Sequence, residues 1–271
     1  MRILFIGDVF GRSGREAVHE YLPKIKKEVN ADLAIVNGEN AAHGRGITPK
    51  FADSFFADGA DCITTGNHIW DQREIIPYIN KNQALLRPAN LPDGTPGKGV
   101  WEHSLPDGRK AVVINIMTRL FMELSDDPFR CMDDLLKMYK LGQNCHMIFV
   151  DCHGEATSEK IALAHYLDGR ITALVGTHTH IPTSDHHILK GGTAYQTDAG
   201  MTGCYDSVIG IRKEAAIGRF LKKIPYESFN PADGEATICG TFIETADKTG
   251  LSSRISTFRY GGILSEQPLD V

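Results

Sequence analysis

Metal-binding and acid–base side chains recur in this chain just after short apolar runs. The runs at residues 3–6, 33–36, 62–64, 147–151 and 173–175 have the length and composition of buried strands. The polar residues that follow them are Asp8, Glu39, Asn40, Asn67, His68, His153, His178 and His180. Sites in open α/β sheets form outside the carboxyl ends of the strands. We therefore expect loops after five strands to bring these side chains to one edge of the fold.

The mixture of carboxylate, amide and imidazole groups suits chemistry with two metal ions. Phosphate esters repel nucleophiles, and two ions about 3.5–4 Å apart overcome this by making hydroxide at neutral pH and holding the phosphoryl oxygens. Asp8 and Glu39 offset only about two of the four charges of two divalent ions, so the cluster would still attract phosphate. Because no thiolate is involved, the set suits iron, manganese, zinc, cobalt or nickel.

Each residue taken alone has a plainer explanation. Asp8 could cap a helix, Glu39 could be a surface carboxylate, and Asn67 could adopt a left-handed turn. A lone His153 is more often structural. The pair His178 and His180 is harder to dismiss, because residues two apart in an extended segment face the same way.

Several further residues are candidates for supporting roles. His68 could act as general acid or phosphate stabiliser, or it could instead hold Asn67. His43 could line the mouth of the site, and Glu155 could support a ligand histidine. The basic residues that could contact phosphate are Arg87, Lys98 and Lys160, although most basic residues are solvated.

The remaining pattern predicts one α/β domain with mixed sheets over residues 1–271. A hairpin is expected at 100–116 around Pro106-Asp107-Gly108, and late strands at 236–244 and 254–258. Helices are expected after a Ser13/Glu16 capping box, from Thr48-Pro49 to Gly59, from about Asp71, after Asp127-Pro128, and over 158–167.

Charge and composition limit the classes of partner. The 271 residues carry a formal net charge of −5, so no stable complex with nucleic acid and no attraction to anionic membranes is expected. No apolar stretch reaches the length of a membrane span, and the six cysteines have no C-x-x-C spacing. We therefore expect a cytoplasmic protein with reduced thiols. Self-association as a homo-oligomer is compatible with such a domain, although no residue indicates it.

The order of these motifs resembles the calcineurin-like metallophosphoesterases. Asp8, an acidic loop residue, Gly66-Asn67-His68, a lone histidine and Gly176-Thr-His178-Thr-His180 follow in that order. The chain is more similar to the YmdB-type branch, which acts as 2′,3′-cyclic-nucleotide 2′-phosphodiesterases. The stretches that carry this similarity are 6–9, 37–44, 87–90, 94–99, 153–160 and 198–203. It departs from the broad superfamily by lacking a histidine two residues after Asp8 and by having Glu39 where an aspartate is usual.

The resemblance implies a sandwich of two mixed β-sheets flanked by helices, with a binuclear centre. One ion would be held by Asp8, Glu39, Asn40 and His180, and the other by Glu39, Asn67, His153 and His178, with Glu39 bridging. Iron or manganese is favoured as the metal, and zinc, cobalt and nickel remain open.

The predicted function is hydrolysis of a small cyclic nucleotide or another phosphodiester by a hydroxide that bridges the metals. Two alternatives use the same site, namely a phosphomonoesterase or nucleotidase, and a regulatory protein that binds metal and nucleotide with weak activity. A plain α/β binding module would leave the grouping of polar residues after strands unexplained.

Overall fold

Two β-sheets form the centre of the fold. The computed structural model describes residues 1–222 and 230–269. In this part of the chain the strands are β1 (Arg2–Ile6), β2 (Leu33–Asn37), β3 (Cys62–Thr64), β4 (Val100–Ser104), β5 (Lys110–Met117), β6 (Met147–His153), β7 (Ala173–Thr177), β8 (His187–Ile188), β9 (Ala194–Gln196), β10 (Ile238–Thr245) and β11 (Ser252–Tyr260). The helices are α1 (Gly11–Glu28), α2 (Pro49–Ala57), α3 (Ile75–Ile79), α4 (Pro128–Met138), α5 (Thr157–Leu167) and α6 (Lys213–Lys222).

Both sheets are mixed. The five-stranded sheet has the order β11-β10-β1-β2-β3, in which β1, β2 and β3 are parallel and β10 and β11 are antiparallel to their neighbours. The six-stranded sheet has the order β4-β5-β6-β7-β9-β8, with a parallel centre and antiparallel pairs at both edges. This architecture confirms the predicted α/β sandwich of two mixed sheets.

Alternation along β1 shows how the layers are packed. Phe5 points into the space between the sheets, where its ring centroid lies 5.0 Å from that of Phe149 on β6. Leu4 and Ile6 point the other way and pack in the cluster that includes Leu22 of α1. Because successive strand residues face opposite sides, one strand serves both the inter-sheet core and the helical layer.

Helix starts agree with the sequence where a capping side chain is present. Thr48 accepts a hydrogen bond from the Phe51 N–H at the start of α2, and Asp127 caps α4 in the same way. The prediction that a Ser13/Glu16 capping box starts the first helix is wrong, because α1 already begins at Gly11 and Ser13 lies inside it. Tertiary contacts decide this, since the Gly11 N–H donates to the Asn40 carbonyl.

The helix expected from about Asp71 is also wrong in its start. Residues 71–74 form a bend and a turn, and only the short α3 follows. Polar groups near the turn have other partners, because Asp71 contacts the His68 imidazole and Gln72 donates to the Arg45 carbonyl. The expected single domain over 1–271 includes residues 223–229 and 270–271, which lie outside the described part. No helix among the described residues is long and apolar enough to cross a membrane.

Candidate metal centre

The predicted site residues meet where β1, β2, β3, β6 and β7 end. His153 is the last residue of β6 rather than part of a following loop. His178 and His180 are not in an extended segment, because their φ angles are +96° and +67°. The reasoning that an extended backbone aligns them is therefore wrong. The contacts described below nevertheless bring both imidazoles to the other predicted residues.

Glycine makes room for the central histidine. A Cβ atom added to Gly66 would lie 2.2 Å from the His153 ring. Only a residue without a side chain permits this approach, since real Cβ atoms do not come so close to another heavy atom. The turn that carries Asn67 can therefore lie directly against His153.

His153 Nε2 is the centre of a group of ligand-type atoms. It lies 3.1 Å from Asn67 Oδ1, 3.1 Å from His178 Nδ1 and 3.6 Å from Glu39 Oε1. Atoms that each lie about 2.1 Å from one ion stand roughly 3.0–3.4 Å apart at right or tetrahedral angles. The first two separations fit ligands of a common ion, and the third exceeds the range slightly.

Hydrogen bonds on the other ring nitrogen fix the tautomer of His153. Its Nδ1 lies 3.0 Å from Thr177 Oγ1, and that hydroxyl donates to Asp151 Oδ1 at 2.6 Å. Because the single hydroxyl proton points to Asp151, Thr177 Oγ1 accepts from the His153 Nδ1–H. Nε2 therefore carries a lone pair, the form that binds metals.

His180 and Asn40 face each other through two acceptor atoms. His180 Nδ1 donates to the Ile209 carbonyl at 2.8 Å, which leaves the lone pair on Nε2. Asn40 Nδ2 donates to the Gly44 carbonyl at 3.0 Å, so its Oδ1 points at His180 Nε2, 3.2 Å away. Two lone pairs this close repel each other unless a cation lies beside both. This pair fits a metal ion.

One ring nitrogen of His178 faces the cluster and the other faces a carboxylate. Its Nε2 lies 3.3 Å from Glu155 Oε2, while Nδ1 faces His153. A carboxylate that accepts from the outer nitrogen of a ligand histidine orients the ring and raises its basicity. Glu155 is placed for the supporting role expected of it.

The two carboxylates are buried without enough partners. Asp8 and Glu39 are 0% and 1% exposed, and Asp8 Oδ1 and Glu39 Oε2 have no hydrogen-bond partner among the described residues. Asp8 Oδ2 accepts from the His178 N–H, and Glu39 Oε1 accepts from the His68 N–H. A buried carboxylate oxygen without a partner is costly and fits a cation-binding role.

Burial also sets the protonation of this cluster. Loss of hydration raises the pKa of Asp8 to about 7, with the nearby Asp198 carboxylate adding to the rise, and it raises the pKa of Glu39 well above its usual range. It lowers the pKa of His178 to about 4 and lowers the pKa values of His153 and His180. Imidazoles that are neutral at pH 7 are ready to bind metal, whereas the carboxyl groups must release protons first.

Histidine, cysteine and acidic side chains do not form the centre by themselves. Over residues 1–222 and 230–269, no group of three or more such side chains is arranged to hold an ion. The nearest neighbours of His153 Nε2 and His180 Nε2 include the amide oxygens of Asn67 and Asn40. A donor set that fits an ion therefore includes these two amides beside the imidazoles and carboxylates.

A cleft of about 300 Å³ opens onto this cluster. It is lined by Phe10, Asn40, Gly44, Arg45, His68, Glu155, His178, Thr179, His180, Ile209 and Ile211. The His68 Nδ1 lies 3.0 Å from Asp71 Oδ2. Burial lowers the pKa of His68, and the charge of Asp71 opposes this. His68 is therefore placed to meet a ligand that enters the cleft.

Sequence reasoning missed Arg45 and misjudged other basic residues. Arg45 lines the cleft, and its position between Gly44 and Gly46 was the available signal. Lys160 is not a phosphate contact, because it is buried and donates to the Thr177 carbonyl at 2.7 Å and to Asp198 at 3.0 Å. Three other residues that were predicted to contact the ligand do not line the cleft. The Arg87 guanidinium donates to backbone carbonyls, and Lys98 lines a separate groove. His43 is exposed.

Comparisons with known proteins find similar proteins over nearly the whole chain. A family model described as "YmdB-like protein" matches residues 4–258. A relative from Bacillus subtilis (strain 168), named 2′,3′-cyclic-nucleotide 2′-phosphodiesterase, is 48% identical over 255 residues, or 94% of this chain and 95% of the relative. A crystal structure of a hypothetical protein from Thermus thermophilus is 43% identical with a TM-score of 0.90, covering 97% of this chain and 100% of that one. A structure described as a novel phosphatase from Mycoplasma pneumoniae is 32% identical with a TM-score of 0.88, covering 96% of this chain and 93% of that one.

Proposed function

Because this chain belongs to the family of YmdB-like proteins, we propose that it is a metal-dependent phosphodiesterase that hydrolyses 2′,3′-cyclic nucleotides. The observation that carries the metal requirement is the contact between His180 Nε2 and Asn40 Oδ1, two acceptors 3.2 Å apart whose other atoms are already hydrogen-bonded. The buried oxygens of Asp8 and Glu39, which lack a partner in the described part of the chain, support the same conclusion.

Two ions would share the donor set as the resemblance implies. Asp8, Glu39, Asn40 and His180 would hold one ion, and Glu39, Asn67, His153 and His178 would hold the other. Two bound ions supply positive charge that stabilises the phosphoryl oxygens and makes water acidic enough to act as the nucleophile. Imidazole, amide and carboxylate ligands suit iron, manganese, zinc, cobalt and nickel, and among these the proposal takes iron or manganese first.

The remaining chemistry belongs to side chains of the cleft. In its doubly protonated form, His68 would give its Nε2 proton to the departing ribose oxygen and become neutral, while its Nδ1–H stays directed at Asp71 Oδ2. Arg45, which lines the cleft, would bind the phosphate, because a guanidinium can contact two oxygens at once. The roles proposed for these two side chains are the same whichever metal is bound.

The products of a cyclic diester test the proposed reaction directly. Hydrolysis of 2′,3′-cyclic AMP at its 2′ bond leaves the 3′-monophosphate, which chromatography separates from the 2′-monophosphate. We expect the 3′-monophosphate, formed only with metal present. The 2′-monophosphate would assign the enzyme to the opposite bond, and no turnover with any of the five metals would overturn the proposal.

A phosphomonoesterase is the second candidate, favoured by the Mycoplasma pneumoniae structure that is described as a phosphatase. Its reaction would use the same ions and the same cleft. Turnover of bis-p-nitrophenyl phosphate compared with that of p-nitrophenyl phosphate separates the two, and the proposal expects the diester to be the better substrate. The cytoplasmic location, the single domain and self-association stay predictions.

A further inference from the structure

A buried carboxylate outside the proposed ligand set is linked by hydrogen bonds to the strand ends that carry the site. Asp151 belongs to β6 and is fully buried. Its Oδ1 accepts from Thr177 Oγ1 at 2.6 Å, and its Oδ2 accepts from Thr64 Oγ1 at 2.5 Å and from Asn37 Nδ2 at 2.8 Å. Thr64 and Asn37 belong to the five-stranded sheet and Thr177 to the six-stranded sheet. Asp151 therefore joins the two sheets through side chains.

Its three partners occupy the last positions of their strands. Asn37 ends β2, Thr64 ends β3 and Thr177 ends β7, while Asp151 itself lies two residues before the end of β6. The proposed ligands that follow these four points in the chain are Glu39, Asn67, His178 and His153. These are the four residues proposed for the second ion. Asn37 is tied to its ligand directly as well, since its Oδ1 accepts from the Glu39 N–H at 3.0 Å.

The relay to His153 passes through a hydroxyl group. Thr177 Oγ1 gives its proton to Asp151 and accepts from His153 Nδ1 at 3.0 Å, so Asp151 determines the direction of both hydrogen bonds. This direction leaves the lone pair on His153 Nε2. The first ion's histidine does not use this relay, because His180 Nδ1 donates to the Ile209 carbonyl.

We infer that Asp151, acting through Thr177, Thr64 and Asn37, is the positioning residue of the second metal ion. It sets the tautomer of His153 and holds the strand ends from which that ion's four ligands depart. The role in ion binding rests on the proposed function, whereas the hydrogen-bond relay can be tested without any metal. Supporting groups behind metal ligands typically contribute about 10- to 100-fold to affinity.

The first test measures Mn²⁺ binding to the metal-free protein by calorimetry in three variants. Thr177→Val removes the relay hydroxyl at nearly constant volume, and Thr177→Ser keeps it. Thr172→Val is the matched control, because Thr172 is also fully buried, precedes the opposite end of β7 and donates to the Gly250 carbonyl at 2.7 Å. We expect Thr177→Val to weaken the second ion about 10- to 100-fold and leave the first unchanged. Thr177→Ser and Thr172→Val should bind both ions like wild type.

Two outcomes of this titration would overturn the assignment. One is wild-type affinity for both ions in Thr177→Val. The other is an equal loss in Thr177→Val and Thr172→Val, which would reduce the effect to a buried hydroxyl of any kind. The melting temperatures of the two valine variants show whether both are folded to the same extent.

The second test reads the tautomer of His153 by ¹⁵N NMR of the metal-free protein. Wild type should carry the proton on Nδ1, and Thr177→Val should lose that preference while Thr172→Val keeps it. The same tautomer in wild type and Thr177→Val would overturn the relay. If wild type bound neither Mn²⁺ nor any of the other four metals, the proposed function would fail, and this spectrum would still decide whether Asp151 orients His153.

Discussion

The backbone N–H of His68 donates a hydrogen bond of 2.5 Å to Oε1 of Glu39. The residue proposed as general acid is thereby fixed to the residue proposed to bridge both ions. Its imidazole stays at the cleft, where Asp71 contacts Nδ1. Acid and metal centre are thus held in one geometry by a main-chain contact that a substitution of the His68 side chain leaves intact.

His68→Ala tests the acid through its dependence on the leaving group. With 2′,3′-cyclic AMP we expect kcat to fall about 10²- to 10⁴-fold, because the ribose oxygen leaves poorly without a proton. With bis-p-nitrophenyl phosphate the loss should be small, since p-nitrophenolate leaves unprotonated. Steady-state kinetics with both substrates, at equal metal content, is the measurement. An equal loss on both would show that His68 acts on the ground state or the metal and not on the leaving oxygen.

Arg45→Met tests the phosphate contact that lines the cleft. We expect a KM about 10-fold higher or more, because a hydrogen bond to a charged group is lost, with unchanged metal content. Lys98→Met is the control, since Lys98 lines a separate groove. Initial rates over a range of substrate concentrations measure both variants. Unchanged KM in Arg45→Met would remove this residue from substrate binding.

The sequence predicted the fold and the grouping of polar residues for a reason that the structure makes plain. Short apolar runs end in polar residues, and parallel strands place those ends at one edge. The sheet topology confirms the two mixed sheets, and the matching family model confirms the family resemblance. Local patterns gave a wrong helix start where tertiary contacts determine it. The Gly11 N–H donates to the Asn40 carbonyl, so α1 begins at Gly11 and not at the predicted capping residue Ser13.

The residues that hold the proposed ligands in place could not be predicted from the sequence, for a different reason. Asp151 and Thr177 lie inside apolar strands, and periodicity assigns such residues to the core without revealing their partners. The left-handed backbone of His178 and His180 was equally hidden, because non-glycine residues rarely adopt it. The burial of Lys160 was hidden as well, since no local pattern indicates that Asp198 will lie beside it in the core.

The affinity for metal should fall as the pH falls through about 7. In the metal-free protein the raised pKa of Asp8, about 7, means that its carboxyl group is mostly protonated below that pH. A proton and an ion then compete for the same oxygens, so binding weakens on acidification. The imidazole of His178 contributes little here, because burial lowers its pKa to about 4.

Competition for Mn²⁺ with a chromophoric chelator, repeated from about pH 8 to pH 6 and corrected for the chelator's own protonation, measures this dependence. Asp8→Asn should bind more weakly throughout and show a flatter profile. A wild-type affinity that stays constant across the range would contradict the proposed part of Asp8.

Lys160→Met should be among the most destabilising single changes in this chain. Lys160 and Asp198 are both fully buried, and their Nζ to Oδ2 distance is 3.0 Å. Removing one partner leaves a buried charge without compensation, which typically costs about 3–5 kcal/mol. Urea denaturation of the metal-free protein measures the loss. The exposed pair of Lys137 with Asp134 provides the control, because Lys137→Met should change the midpoint very little. Similar midpoints for both variants would show that the buried pair contributes no more than a surface one.

Metal content measured together with hydrolysis of 2′,3′-cyclic AMP, in wild type and Glu39→Gln, tests the central claim most directly. Glu39 is proposed to bridge both ions, and glutamine preserves its size while removing the charge. The wild type should hold about two equivalents of transition metal and turn over the substrate. Glu39→Gln should lose metal and activity together while remaining folded. A wild type that holds no metal and gains none from added manganese or iron, or a Glu39→Gln variant as active as wild type, would contradict the two-metal account.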